Sequence, residues 1–96
     1  MDNKIEFELI VGLVRDVVGD DPAWQFQSLN GVFGPCMLYH NGNIMTNIGI
    51  KGDLMVFTCN RGRYIQVYVD LNIDTRDNIK EVLDHLVEYE DEPSRS

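Results

Sequence analysis

Three turn signals in the middle of the chain constrain its fold most: Asn41-Gly42, Lys51-Gly52-Asp53 and Asn60-Arg61-Gly62-Arg63. Asn-Gly is the strongest short hairpin signal, because both central residues of a type I′ turn need positive φ. The other two place a glycine where a hairpin loop commonly requires one. Between and around them run segments rich in β-branched and aromatic residues, roughly Trp24–Leu29, Phe33–His40, Ile44–Ile50, Leu54–Asn60 and Tyr64–Ile73. Segments joined by consecutive hairpins lie side by side and run antiparallel, so this region reads as a four- to five-stranded antiparallel β-meander. Gly34 and Pro35 predict a bulge or an edge position early in its second strand.

Outside the meander the hydrophobic period changes from that of strands to that of helices. Ile5, Leu9, Leu13 and Val17 recur at spacing four, and Ile10, Val14 and Val18 widen the stripe, which predicts a helix over Asn3–Val18. A sector this broad implies burial on more than one side. Asp2 or Asn3 suits the N-cap, Gly19 the residue after the last turn, and Pro22 prevents the helix from resuming. A second helix is predicted over Thr75–Tyr89, with Asp74 or Thr75 as cap and Ile79, Val82, Leu83, Leu86 and Val87 as its apolar face. The fold class is therefore α+β: an N-terminal helix, a four- to five-stranded antiparallel meander and a C-terminal helix, with the helices packed on one sheet face. At 96 residues the chain has room for one domain, read as 1–92, with 93–96 as a frayed tail.

The net charge of −8 is unevenly spread. Residues 1–21 sum to −4, residues 22–69 to +2 and residues 70–96 to −6. Binding to nucleic acid through bulk positive charge is excluded by this balance, because phosphate contacts need a basic field. No apolar run of about 18 residues predicts a membrane span, and Met-Asp-Asn-Lys-Ile-Glu at the N-terminus is unlike a signal peptide. A cytoplasmic protein is expected. Cys36 and Cys59 form no CxxC pair, and with His40 and His85 they lack the spacing of a structural zinc site. No metal or cofactor is assigned, and both cysteines are read as reduced thiols. No catalytic residue is assigned either: Ser28 is the only serine before the tail, and neither a GxSxG turn nor a phosphate loop occurs. The protein is therefore read as a non-enzyme.

Two surfaces stand out as partner-binding candidates. Asp77, Glu81, Asp84 and Glu88 are spaced four, three and four apart on the second helix. At about 100° per residue they occupy a sector of roughly 60° opposite the apolar face. Such a ridge suits docking on a basic surface, and a solvated face that aids solubility is its plainer reading. The second candidate follows from the hairpin of Leu54–Asn60 and Tyr64–Ile73. If Cys59 pairs with Tyr64, then Met55, Phe57, Tyr64 and Tyr68 share the sheet face turned away from the helices, and that apolar face needs a cover. Arg61 and Arg63 beside Tyr64 add a small basic spot at that hairpin's tip.

Val32-Phe33-Gly34, followed by Leu38-Tyr39, Asn41-Gly42 and Ile44-Met45, resembles the start of the domain of TfoX-type competence regulators. In that family a phenylalanine-glycine segment leads into a hairpin with a similar turn, and a basic residue precedes it. Here Gln27, Ser28, Leu29 and Asn30 occupy the preceding stretch, and the chain is not assigned to the family. In composition it also looks like small acidic α+β secretion chaperones, with no shared motif. The leading functional expectation is a small acidic non-catalytic binding protein. It would act as an inhibitor whose acidic helix docks on a basic protein surface, by analogy with compact acidic proteins of phages and mobile elements. The alternative is a dimeric chaperone or scaffold using the apolar sheet face, and the third is a small-ligand or enzyme domain.

Overall fold

Asp2 opens the first helix by accepting from the Lys4 amide at 2.8 Å, which satisfies a first-turn donor that a helix leaves unpaired. α1 then runs over Asn3–Val18 and stops where Gly19 takes φ 68° and donates its N–H to the Arg15 carbonyl. The computed structural model describes residues 2–60 and 64–90, with Asn60, Tyr89 and Glu90 described by backbone alone. The basic spot at Arg61 and Arg63 and the expected tail at 93–96 lie outside the described residues.

Five strands follow: β1 (Trp24–Gly31), β2 (Gly34–His40), β3 (Asn43–Lys51), β4 (Leu54–Asn60) and β5 (Tyr64–Asp70). They form one antiparallel sheet in the order β1-β2-β3-β4-β5, the meander that the turn chemistry predicts. Asn41 at φ 52° and Gly42 at φ 83° make the expected β2–β3 turn. The ladder between β1 and β2 is irregular between Ser28 and Gly31, opposite Pro35, as the Gly-Pro pair foretells. β5 ends at Asp70, three residues short of the sequence expectation. The Asp70 carboxylate accepts from the Asn72 amide and turns the chain toward α2 (Thr75–Glu90).

Both helices pack on one face of the sheet, sharing a core in which Ile10 and Val14 of α1 and Ile79 and Leu83 of α2 meet Leu38, Ile48, Met55, Phe57 and Val69. α1 buries a narrower sector than its composition implies. Ile5 and Leu9 are exposed, while Phe7, Leu13, Val17 and Val18 flank the buried pair. A sheet covers one side of a helix, and among the described residues no second element closes over the flank carrying Ile5 and Leu9.

The β4–β5 register differs from the expected one by a single residue. Cys59 lies opposite Ile65, Phe57 opposite Val67 and Met55 opposite Val69. Because side chains alternate along a strand, that slip exchanges the two faces of β4 relative to β5. Met55 and Phe57 are fully buried under the helices and are not on the outer face. Tyr64 and Tyr68 do lie on the outer face and are exposed, alongside Val56, Thr58 and Gln66.

That outer face is also less apolar and less open than expected. Asn47 donates to the carbonyls of Gly34 and Cys36, Gln66 donates to the Thr58 hydroxyl, and the Tyr68 hydroxyl donates to Gln66. The β1–β2 turn crosses β3 so closely that Gly34 and Gly49 pack backbone to backbone. This crossing sets the Phe33 ring against Tyr64, centroids 5.5 Å apart, on the face that also holds Val56 and Thr58, both buried.

Candidate functional site

α2 is anchored at its start and lies over the sheet along one stripe. The Thr75 hydroxyl donates to the Asp70 carbonyl and the Asn78 side chain to that of Ile73, fixing the first turn against the end of β5. Ile79 and Leu83 then reach the core, while Val82 and Leu86 on the neighbouring stripe are only half-buried. Beside that stripe a cleft of about 400 Å³ opens between α2 and strands β3–β5. Its walls are Met45, Ile65, Val67, Val69, Val82 and Leu86, its polar groups come from Cys59, Asn78, Glu81 and His85, and Tyr68 borders it from the edge of β5. A largely apolar concavity with a few polar groups at its edge is the usual form of a binding site.

The acidic ridge borders this cleft. Asp77, Glu81, Asp84 and Glu88 are all exposed on α2, as their spacing predicts. Lys80 Nζ meets Asp84 Oδ2 at 2.8 Å, and this hydrogen bond and charge raise the Lys80 pKa above its ordinary value, with Asp77 adding to the effect. His85 Nε2 stands 4.0 Å from Glu81 Oε1, a pairing that carries charge only when the imidazole is protonated. Glu81 belongs to both features, one of the four ridge carboxylates and a lining residue of the cleft. The sequence reading identifies the ridge because it is local to one helix. The cleft escapes it, since its walls come from four elements.

The two cysteines differ in surroundings. Both are free thiols, Cys36 fully buried and Cys59 half-buried at the cleft. Burial pushes the Cys36 thiol from 9.0 up to about 12. The unfolded chain gives up that proton at a lower pH than the folded one. The thiol's contribution to stability is therefore full below about pH 9 and is lost as the pH rises toward 12. Urea titrations across that range should show a steeper alkaline decline in the wild type than in Cys36→Ala. At neutral pH a thiol reagent should modify Cys59 and spare Cys36 until the protein unfolds.

Among the described residues no group of three or more His, Cys, Asp or Glu is placed to hold a metal ion. No helix among them is long and apolar enough to cross a membrane. No family model, no curated protein and no solved structure matches this chain, so the likeness of residues 32–45 to TfoX-type regulators carries no family assignment.

Proposed function

We propose that this is a small non-catalytic binding protein that docks a basic stretch of a partner protein along α2, the partner's apolar side chains entering the neighbouring cleft. The observation that carries this reading is the shared edge: the apolar cleft and the four-carboxylate ridge meet at Glu81. The two features contribute different things. An exposed ion pair contributes only about 0.2–1 kcal/mol, whereas burying one aliphatic side chain contributes about 1.5–3 kcal/mol. The cleft therefore supplies affinity, and the ridge supplies steering and selection for positive charge. Covering a basic surface on the partner makes inhibition the direct consequence of binding. A cytoplasmic setting fits the two free thiols.

Selection of random peptides displayed on phage should enrich apolar residues flanked by Lys and Arg. Enrichment of neutral or acidic sequences would count against the reading. Neutralising the ridge together (Asp77→Asn, Glu81→Gln, Asp84→Asn, Glu88→Gln) should lower the association rate of a selected peptide about tenfold at low salt, with a smaller change in dissociation. An unchanged association rate would remove the ridge from the account.

A second reading, a homodimeric scaffold, draws on the exposed Val32, Tyr64 and Tyr68 at the outer face. Sedimentation equilibrium showing a dimer that Tyr68→Asp dissociates would favour it, and a monomer at high concentration would remove it.

A further inference from the structure

The strand that floors the cleft is also an outer edge of the sheet. Among the described residues β5 pairs only with β4, and its far side has no strand beside it in the sheet order. Edge strands are normally blunted by lysine, proline, bulges or short length, because a free row of backbone donors and acceptors invites another strand. None of these devices occurs along Tyr64–Asp70. It has seven residues in unbroken register from Leu54↔Asp70 to Asn60↔Tyr64, and its only charge is Asp70 at the end. The opposite edge differs, because the β1–β2 ladder is broken between Ser28 and Gly31.

The side chains of β5 sharpen the point. Ile65, Val67 and Val69 alternate along the strand and all line the cleft, facing Val82 and Leu86 of α2. A strand laid against the free edge would continue the cleft floor and send every second side chain under the same flank of α2. The residues between would face outward, away from the helix.

Charge chooses the occupant. A second copy paired edge to edge would bring another chain of net charge −8, with its own α2 carboxylates, beside Glu81 and the ridge. A basic segment meets the opposite field. We infer that β5 is a strand-addition site for an extended segment of a basic partner, with apolar residues at alternate positions and lysine or arginine between them. This inference rests on the docking reading above and specifies its geometry.

The probe is acetyl-Lys-Val-Lys-Ile-Lys-Val-Lys-amide, whose binding to the full chain is followed by calorimetry and by amide exchange of β5. N-methylation of alternate residues blocks one side of the peptide backbone while keeping its charge and side chains. The expected result is that one N-methylated set weakens binding at least about tenfold, the complementary set leaves it within about threefold, and the β5 amides facing away from β4 become protected. Equal binding of both sets, or of a block-sequence isomer with its lysines contiguous, would overturn strand addition and leave docking on the acidic α2 intact. Absence of binding at millimolar peptide would overturn it as well, and the phage selection then judges the docking reading separately.

Discussion

Replacing Phe57 with aspartate is expected to abolish the cooperative unfolding transition, whereas Tyr68→Asp on the adjoining strand should leave it nearly in place. Phe57 is fully buried among Ile48, Met55 and the helix residues of the core. Removing such a ring costs about 3–5 kcal/mol, and a carboxylate buried in its place adds several more unless it takes up a proton. A domain of this size has about 5–15 kcal/mol in total, so the variant retains little or none. Tyr68 is 52% exposed, and its hydroxyl bonds only to the neighbouring Gln66 among the hydrogen bonds described above. Its loss costs about 1 kcal/mol. Urea denaturation followed by circular dichroism reads both. The pair tests the β4–β5 register itself, because a one-residue slip would put Phe57 and Tyr68 on the same face and make the two effects similar.

Gly34→Ala is expected to destabilise by about 3 kcal/mol or more, a large effect for one added methyl group. A Cβ at Gly34 would fall 2.2 Å from the Ile48 carbonyl oxygen and 2.5 Å from the Gly49 Cα, and the residue's φ is 135°. Those neighbours are backbone of the central strand, so relief requires parting β2 from β3 and lifting the β1–β2 turn. Phe33 would then leave Tyr64, and the NOEs between their rings should weaken along with the stability. Gly42→Ala is the control. Its φ of 83° is also unfavourable for alanine, but a Cβ there meets nothing within 4 Å, and a loss of about 1 kcal/mol is expected. Equal losses at the two sites would show that the tight crossing at Gly34 contributes nothing.

The meander and both helices were legible because their signals are local: positive-φ turn residues, a change of hydrophobic period, and caps such as Asp2 and Gly19. The β4–β5 register was not, since both faces of β4 carry apolar residues. Leu54 and Val56 stand on one side and Met55 and Phe57 on the other, so hydrophobic patterning alone fits either alignment. What separates them is cross-strand matching, with Thr58 against Gln66 and Phe57 against Val67. The exposed Ile5 and Leu9 show the same limit in α1, where the stripe in the sequence is wider than the sheet that covers it. The ridge of Asp77, Glu81, Asp84 and Glu88 was readable from helical spacing alone. The cleft beside it was not, because Met45 stands at the bulge of the β2–β3 ladder and Cys59 and Ile65 reach the cleft side only in the β4–β5 register that patterning leaves open.

The most direct test of the docking account is a titration of the ¹⁵N-labelled protein with a phage-selected basic peptide, followed by amide chemical shifts. The account predicts that the largest changes fall on β5 and the cleft side of α2, at Ile65, Val67, Asn78, Val82 and His85. Changes centred on Phe33, Tyr64 and Val56 of the outer face, with the cleft unmoved, would contradict it.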